Sequence, residues 1–217
     1  MGHSRAEKSD SRERILQAAA RRFRERGVEG LGIAELMEEA GLTHGGFYRH
    51  FESREDLVTQ AIVAALAQNL DRMSDAAERS PKAALHGMID RYLSAAHRDA
   101  PGEGCTIASL VADAARGSER TRNAYTEHVR RFIDLIVASM KNGGPRAKRK
   151  HAMLTLSAMA GALMLARAVN DEALSDEILQ LTSRALKECN AEEPSERRGI
   201  RGKLPRGSTK FSGTRGK

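Results

Sequence analysis

The stretch "IAELMEEAGLTHGGFYRHF", residues 33–51, decides how this chain is read. Ile33, Leu36, Met37 and Ala40 recur at helical spacing, so a short helix buries them on one face. Gly41 ends that helix, and Thr43 stands where a side-chain oxygen caps a third helix running to about Phe51. Two short helices across a tight turn match the helix-turn-helix unit, whose second helix lies in the major groove of DNA. Gly45 and Gly46 are costly inside a helix. Lacking a Cβ, they let the backbone approach base edges and phosphates. Thr43 and the first N–H groups of that helix can hold a phosphate. Tyr48, His50 and Arg54 offer donors toward the flanking sugar-phosphate backbone. His44 and Arg49 are left to face the groove, where Arg suits guanine O6 and N7. Phe47 and Phe51 are assigned to packing.

Working outward, residues 1–8 read as a mobile arm. Asp10 with Glu13 forms a capping box, and Ile15, Ala19 and Phe23 repeat until Gly27 stops the first helix. Arg12 and other bases of this helix are placed to help on phosphates. Ser53 with Asp56 caps a fourth, longer helix carrying Leu57, Ala61, Ala65, Leu66, Leu70 and Met73. Ser80 and Pro81 restart the chain for a fifth, with Leu85, Met88, Ile89, Tyr92 and Leu93 as its buried stripe. A short sixth segment holds Ile107, Leu110 and Val111. A long seventh follows Ser118, with Tyr125, Val129, Phe132, Ile133, Ile136 and Met140. Two closing helices span roughly 146–169 and 174–189. From Ala191 the composition reads as a disordered, basic tail. The expected fold is all-α: a DNA-binding domain over 9–54, a helical bundle over 55–190, and a tail over 191–217.

Composition agrees. Of 217 residues, 40% are hydrophobic and 4% aromatic, with no Trp, which favours helix over sheet. The net charge is +7, but eight bases and no acid lie from Arg197 onward. The remainder carries 28 bases against 29 acids, so basicity belongs to the tail and does not itself argue for nucleic acid. Two cysteines, Cys105 and Cys189, make no disulfide scaffold and suit a reducing cytosol. No signal peptide is visible at the polar N-terminus, and the apolar run Ala158–Ala166 falls short of the roughly 20 residues that span a bilayer. The histidines lack metal-ligand spacing, and no nucleophile–base set or cofactor loop is found. Neither enzyme, metal nor cofactor is expected.

The segment from Arg14 to Val58, about 45 residues, resembles the DNA-binding domain of the TetR family of bacterial transcriptional regulators. Ile15, Ala18, Ala19, Phe23, Gly27, Ile33, Ala40, Gly41, Tyr48, His50, Phe51 and Leu57 all fall where that pattern wants them. Gly32 departs from the usual Ser or Thr cap, and Met37 from the usual Ala. The resemblance implies a cytoplasmic homodimer, most often a repressor on a palindromic operator, joined through its last two long helices and released by a small-molecule inducer. Ligand and DNA then favour different dimer geometries and weaken each other reciprocally.

Candidate pocket residues are Met88, Tyr92, Cys105, Tyr125, Met159 and Leu163, with Met140, Met153 and Met164 as further members or core filler. Ala158, Gly161 and Ala162 keep the penultimate helix narrow, which fits close packing on a symmetric copy or within the chain. Cys105 follows "PGEG" at a helix start, a position that lowers a thiol pKa. The run "GEGCTIASLVADAAR" also resembles a TetR subgroup with repressors that answer electrophiles and oxidants, against which stands an inert buried cysteine. Two alternatives to a ligand-released repressor therefore stay open: a redox- or electrophile-sensing repressor triggered at Cys105, and a helical structural protein that binds no DNA.

Overall fold

A computed structural model describes residues 5–79 and 84–191, with side chains excluded at Arg5, at residues 69–79 and at Ala191. The expected Ser80–Pro81 restart, the side chains of Leu70 and Met73, residues 1–4 of the arm, and the tail beyond Ala191 lie outside the described residues. All regular structure among the described residues is helical.

Helix α1 (Arg5–Arg26) begins well before the Asp10 cap, so residues 5–8 of the expected arm are helical. Asp10 instead pairs with Arg14 one turn on, at 3.5 Å. Ile15, Leu16, Ala19, Ala20 and Phe23 form its buried face. Helix α2 (Ile33–Glu39) is tied to α1 by polar contacts: Arg22 Nε donates to Glu39 at 2.6 Å, Arg26 meets Glu35 at 3.0 Å, and Arg14 donates to the Ala40 carbonyl at 3.1 Å. Gly32 is an extended N-cap without a side-chain bond, as its lack of a hydroxyl dictates.

The turn after α2 needs a left-handed residue. Gly41 has φ +70°, and the Leu42 N–H reaches back to the Met37 carbonyl at 2.8 Å, which closes the helix end. Gly41→Ala is expected to cost about 1 kcal/mol, since a Cβ disfavours that conformation. A melting midpoint lowered by a few degrees would register it; an unchanged midpoint would contradict the turn geometry.

The next element, His44–Arg49, is a 3₁₀ helix rather than the α-helix expected. Six residues with two adjacent glycines cannot sustain full α-turns, and the chain tightens so that Phe47 points inward. Helix α3 (Arg54–Arg79) then starts on the expected box, with the Asp56 N–H on Ser53 Oγ at 3.0 Å and the Glu52 N–H on Asp56 Oδ2 at 3.3 Å.

The bundle comprises α4 (Ala84–Tyr92), α5 (Ala95–Asp99), α6 (Thr106–Ser109), α7 (Val111–Arg116), α8 (Glu119–Ala138), α9 (Pro145–Ala168) and α10 (Glu172–Ala191). A 3₁₀ turn, Pro101–Glu103, links α5 to α6. The single sixth segment expected from sequence is thus split into α6 and α7 at Leu110. Helix α9 packs on α8 and α10, burying Ala152, Leu156, Met159, Leu163 and Ala166. By length and composition α9 could cross a membrane, but this inward stripe marks it as a helix of the bundle core.

Among the described residues, polar contacts tie α1 and α3 to the later helices. Arg24, buried on α1, donates to the Gly102 carbonyl at 2.7 Å. The Val28 N–H meets Asp113 Oδ1 at 3.2 Å, and Thr59 on α3 shares a hydrogen bond with Thr121 on α8 at 3.0 Å.

Candidate nucleic-acid interface

Phe47 anchors the 3₁₀ helix. It is fully buried, and its ring meets Tyr48 edge-on at 5.2 Å and Phe51 at 5.6 Å. Phe47 is the buried residue of this helix, and its neighbours turn out. Tyr48 is 73% exposed, and Thr43, His44, Gly45 and Arg49 are exposed beside it. Thr43 is the extended N-cap residue but makes no capping bond with its side chain.

Among the described residues, no contact requires the two glycines. A Cβ at Gly45 would meet no atom within 4 Å, and one at Gly46 would make ordinary contact with Met37 and Thr43. Neither has a positive φ. The lack of side chains there leaves bare backbone on the outside of the domain.

His50 is half-buried, and its Nδ1 has no partner among the described residues. Burial lowers its pKa, and the charges of Lys8, Arg12 and Arg49 lower it further. His50 is thus a neutral ring at pH 7, not a cation. Arg12 lies 5.5 Å from the Phe51 ring centre and donates to Gln60 Oε1. Arg54 donates to the Val28 carbonyl at 2.7 Å and lies 3.6 Å from Glu29, so part of its guanidinium is engaged within the chain. Lys8 stands close enough to act on His50, although the sequence had placed it in the arm. Only the extra turns of α1, which no local cap announced, bring it there.

The six candidate pocket residues lie in the core of the bundle. Met88, Tyr92, Cys105, Met159 and Leu163 are all fully buried, and Tyr125 is half-buried with its hydroxyl on the Ile107 carbonyl at 2.8 Å. Met140 is buried too, whereas Met153 and Met164 face outward at 49% and 41% exposure. Ala162 turns inward, so it packs within the chain.

Cys105 does not behave as a helix-start thiol. Burial pushes its pKa up, against the opposing pull of the Tyr92 hydroxyl and the Ile107 and Ala108 N–H groups. Helix α6 has only four residues, too little dipole to outweigh that desolvation. The Cys105 N–H donates to His97 Nε2 at 2.9 Å, while His97 Nδ1 lies 2.6 Å from the Tyr92 carbonyl. An accepting Nε2 leaves the proton on Nδ1, so His97 is neutral, in keeping with a pKa lowered by burial.

The family model described as "Bacterial regulatory proteins, tetR family" matches residues 15–61, which span α1, α2, the 3₁₀ helix and the start of α3. A second, "Transcriptional regulator LmrA/YxaF-like, C-terminal domain", matches residues 81–179 of the bundle.

The chain belongs to the TetR family.

As a TetR-family protein it is a DNA-binding transcriptional regulator. It is 26% identical to the transcriptional repressor NemR of Escherichia coli over 137 residues, 62% of this chain and 69% of that one. It is also 26% identical to the transcriptional regulator LmrA of Bacillus subtilis over 154 residues, 69% of this chain and 82% of that one. A TetR regulator structure from Chloroflexus aurantiacus superposes with a TM-score of 0.72 at 21% identity, covering 87% of this chain and 98% of that one. The Chloroflexus structure shares the fold over most of the chain.

Proposed function

We propose that this regulator is a cytoplasmic repressor that binds a palindromic operator as a homodimer and is released by a small molecule. One observation carries the DNA-binding face: a fully buried Phe47 holds up an open ridge on which Tyr48 is 73% exposed beside two glycines that no contact among the described residues requires. On that ridge Thr43, His44, Gly45, Gly46, Tyr48, Arg49 and His50 meet the DNA, Arg49 toward base edges and Tyr48 toward phosphate. Arg54 contributes only with the donors left over from Val28.

For the dimer, support comes from apolar side chains exposed on the last two helices: Met153, Leu154 and Leu165 on α9, Leu174 and Leu181 on α10. Gly161 lies on the same helix with open space where a Cβ would be, which suits a second helix at close range. For the inducer, the apolar interior around Met88, Tyr92, Met159 and Leu163 favours an apolar compound.

Selection of bound sequences from random duplex DNA is expected to return an inverted repeat. Against that site, Tyr48→Ala and Arg49→Ala should each weaken binding by about tenfold or more, 1–3 kcal/mol, with the melting temperature unchanged. Their readouts differ. Arg49→Ala relaxes base preference, and Tyr48→Ala weakens all sequences alike. Full operator affinity in both variants would remove the 3₁₀ helix from the interface.

A further inference from the structure

The two domains and the α9–α10 corner enclose an open cleft of about 790 Å³, within the range of small-molecule sites. It is distinct from the bundle interior that holds Met88, Tyr92 and Met159. Arg167, in the last turn of α9, forms part of its wall. Its Nε donates to the Arg98 carbonyl at 3.1 Å, one Nη to the His97 carbonyl at 2.7 Å, and the other to Ser109 Oγ at 3.1 Å. Every one of these acceptors is neutral, and the guanidinium forms no ion pair with a carboxylate among the described residues. Three of its five N–H groups are used.

The other charges of the cleft are differently placed. Arg98 is saturated by Asp99 and Asp176, each at 2.6 Å, and by Ser175 at 3.0 Å. Glu25 pairs with Arg22 at 3.3 Å, and Glu172 stands exposed at the start of α10. Arg167 is therefore a half-buried cation with no carboxylate in contact; burial lowers its pKa, and the charge of Asp99, spent on Arg98, offsets that only in part. A half-buried charge left in that state is costly unless something supplies the opposite sign. Pro101, Ala108 and Val169 add an apolar wall beside it.

We propose that this cleft binds a small organic carboxylate, whose head group pairs with Arg167 while its apolar body lies against Pro101, Ala108 and Val169. A carboxylate matches the planar guanidinium fork, and the other two arginines of the cleft are already engaged, Arg24 with the Gly102 carbonyl and Arg98 with Asp99 and Asp176. Occupancy lies beside Arg24, the α1 residue that holds the Gly102 carbonyl, so the site borders the seam between the domains.

The test uses the intact homodimer without DNA, so its outcome is separate from that of the repressor reading. Calorimetric titration compares benzoate with benzamide, and hexanoate with hexanamide. Each carboxylate is expected to bind at least about tenfold more tightly than its amide. Ser109→Asp places a carboxylate against the Arg167 Nη that Ser109 now meets. This variant should melt at a higher temperature and lose the preference for carboxylates. Arg167→Met should lose it as well, and Ser109→Asp decides the matter if Arg167→Met does not fold. Equal binding of acid and amide by the unaltered protein, including no binding of either, overturns the proposal. So does carboxylate binding that survives Ser109→Asp, the result if Arg167 serves only to hold the end of α5.

Discussion

Phe47→Ala is expected to destabilise the N-terminal domain by about 3–5 kcal/mol, a large share of the 5–15 kcal/mol that holds a typical domain together. The side chain is fully buried where two short elements, α2 and the 3₁₀ helix, follow α1, so little surrounding structure can collapse into the space it leaves. Its removal also deletes the ring contacts with Tyr48 and Phe51. Because the 3₁₀ helix has few hydrogen bonds of its own, loss of this anchor should abolish operator binding even where the bundle stays folded. Phe47→Leu, which keeps most of the volume, should cost less than about 1.5 kcal/mol. Denaturant unfolding of both variants measures the difference. A loss below about 1 kcal/mol for Phe47→Ala would mean that something else holds the ridge in place.

Acid is expected to weaken the protein through His128. This residue on α8 is 5% exposed, its Nε2 has no partner among the described residues, and it lies beside Phe132 with ring centres 6.4 Å apart. Burial, aided by the charge of Arg131, pulls its pKa from 6.5 to about 4. In the unfolded chain it takes up a proton near pH 6.5; in the folded chain it resists until about pH 4. Between these values the unfolded state binds more protons, so stability is full above about pH 6.5 and declines as pH falls toward 4. The limiting loss is roughly 3 kcal/mol. His50 and His97, whose pKa values burial also lowers, add to the same slope. Unfolding curves at pH 7 and pH 4.5 for the unaltered protein and His128→Phe provide the check. The variant should lose much of the acid sensitivity, and identical slopes would show that His128 contributes nothing to it.

Local signals were legible where a residue acts on its own neighbourhood. Gly27 and Gly41 end α1 and α2 with φ of +75° and +70°, and Ser53 with Asp56 opens α3. The aromatic pair Phe47 and Phe51 was readable as packing because each follows the helical period of the unit. Signals failed where distant residues decide. Asp113 on Val28 and Gly102 on Arg24 join positions 85 and 78 apart, and no periodicity announces such pairs. Cys105 illustrates the point. Its sequence context promised a helix start, whereas burial among segments distant in sequence, with His97 on its N–H, reverses the expected shift. Likewise His128 sits in the polar-looking run "EHVRRF", where nothing local shows that it points inward.

The sealed position of Cys105 gives the protein a built-in clock. Cys189 lies open on α10, so a thiol reagent modifies it at once, while Cys105 waits for its surroundings to part. The slow phase of labelling then times the breathing of the bundle interior. An inducer that occupies this interior would stretch that phase, and one that props it open would shorten it.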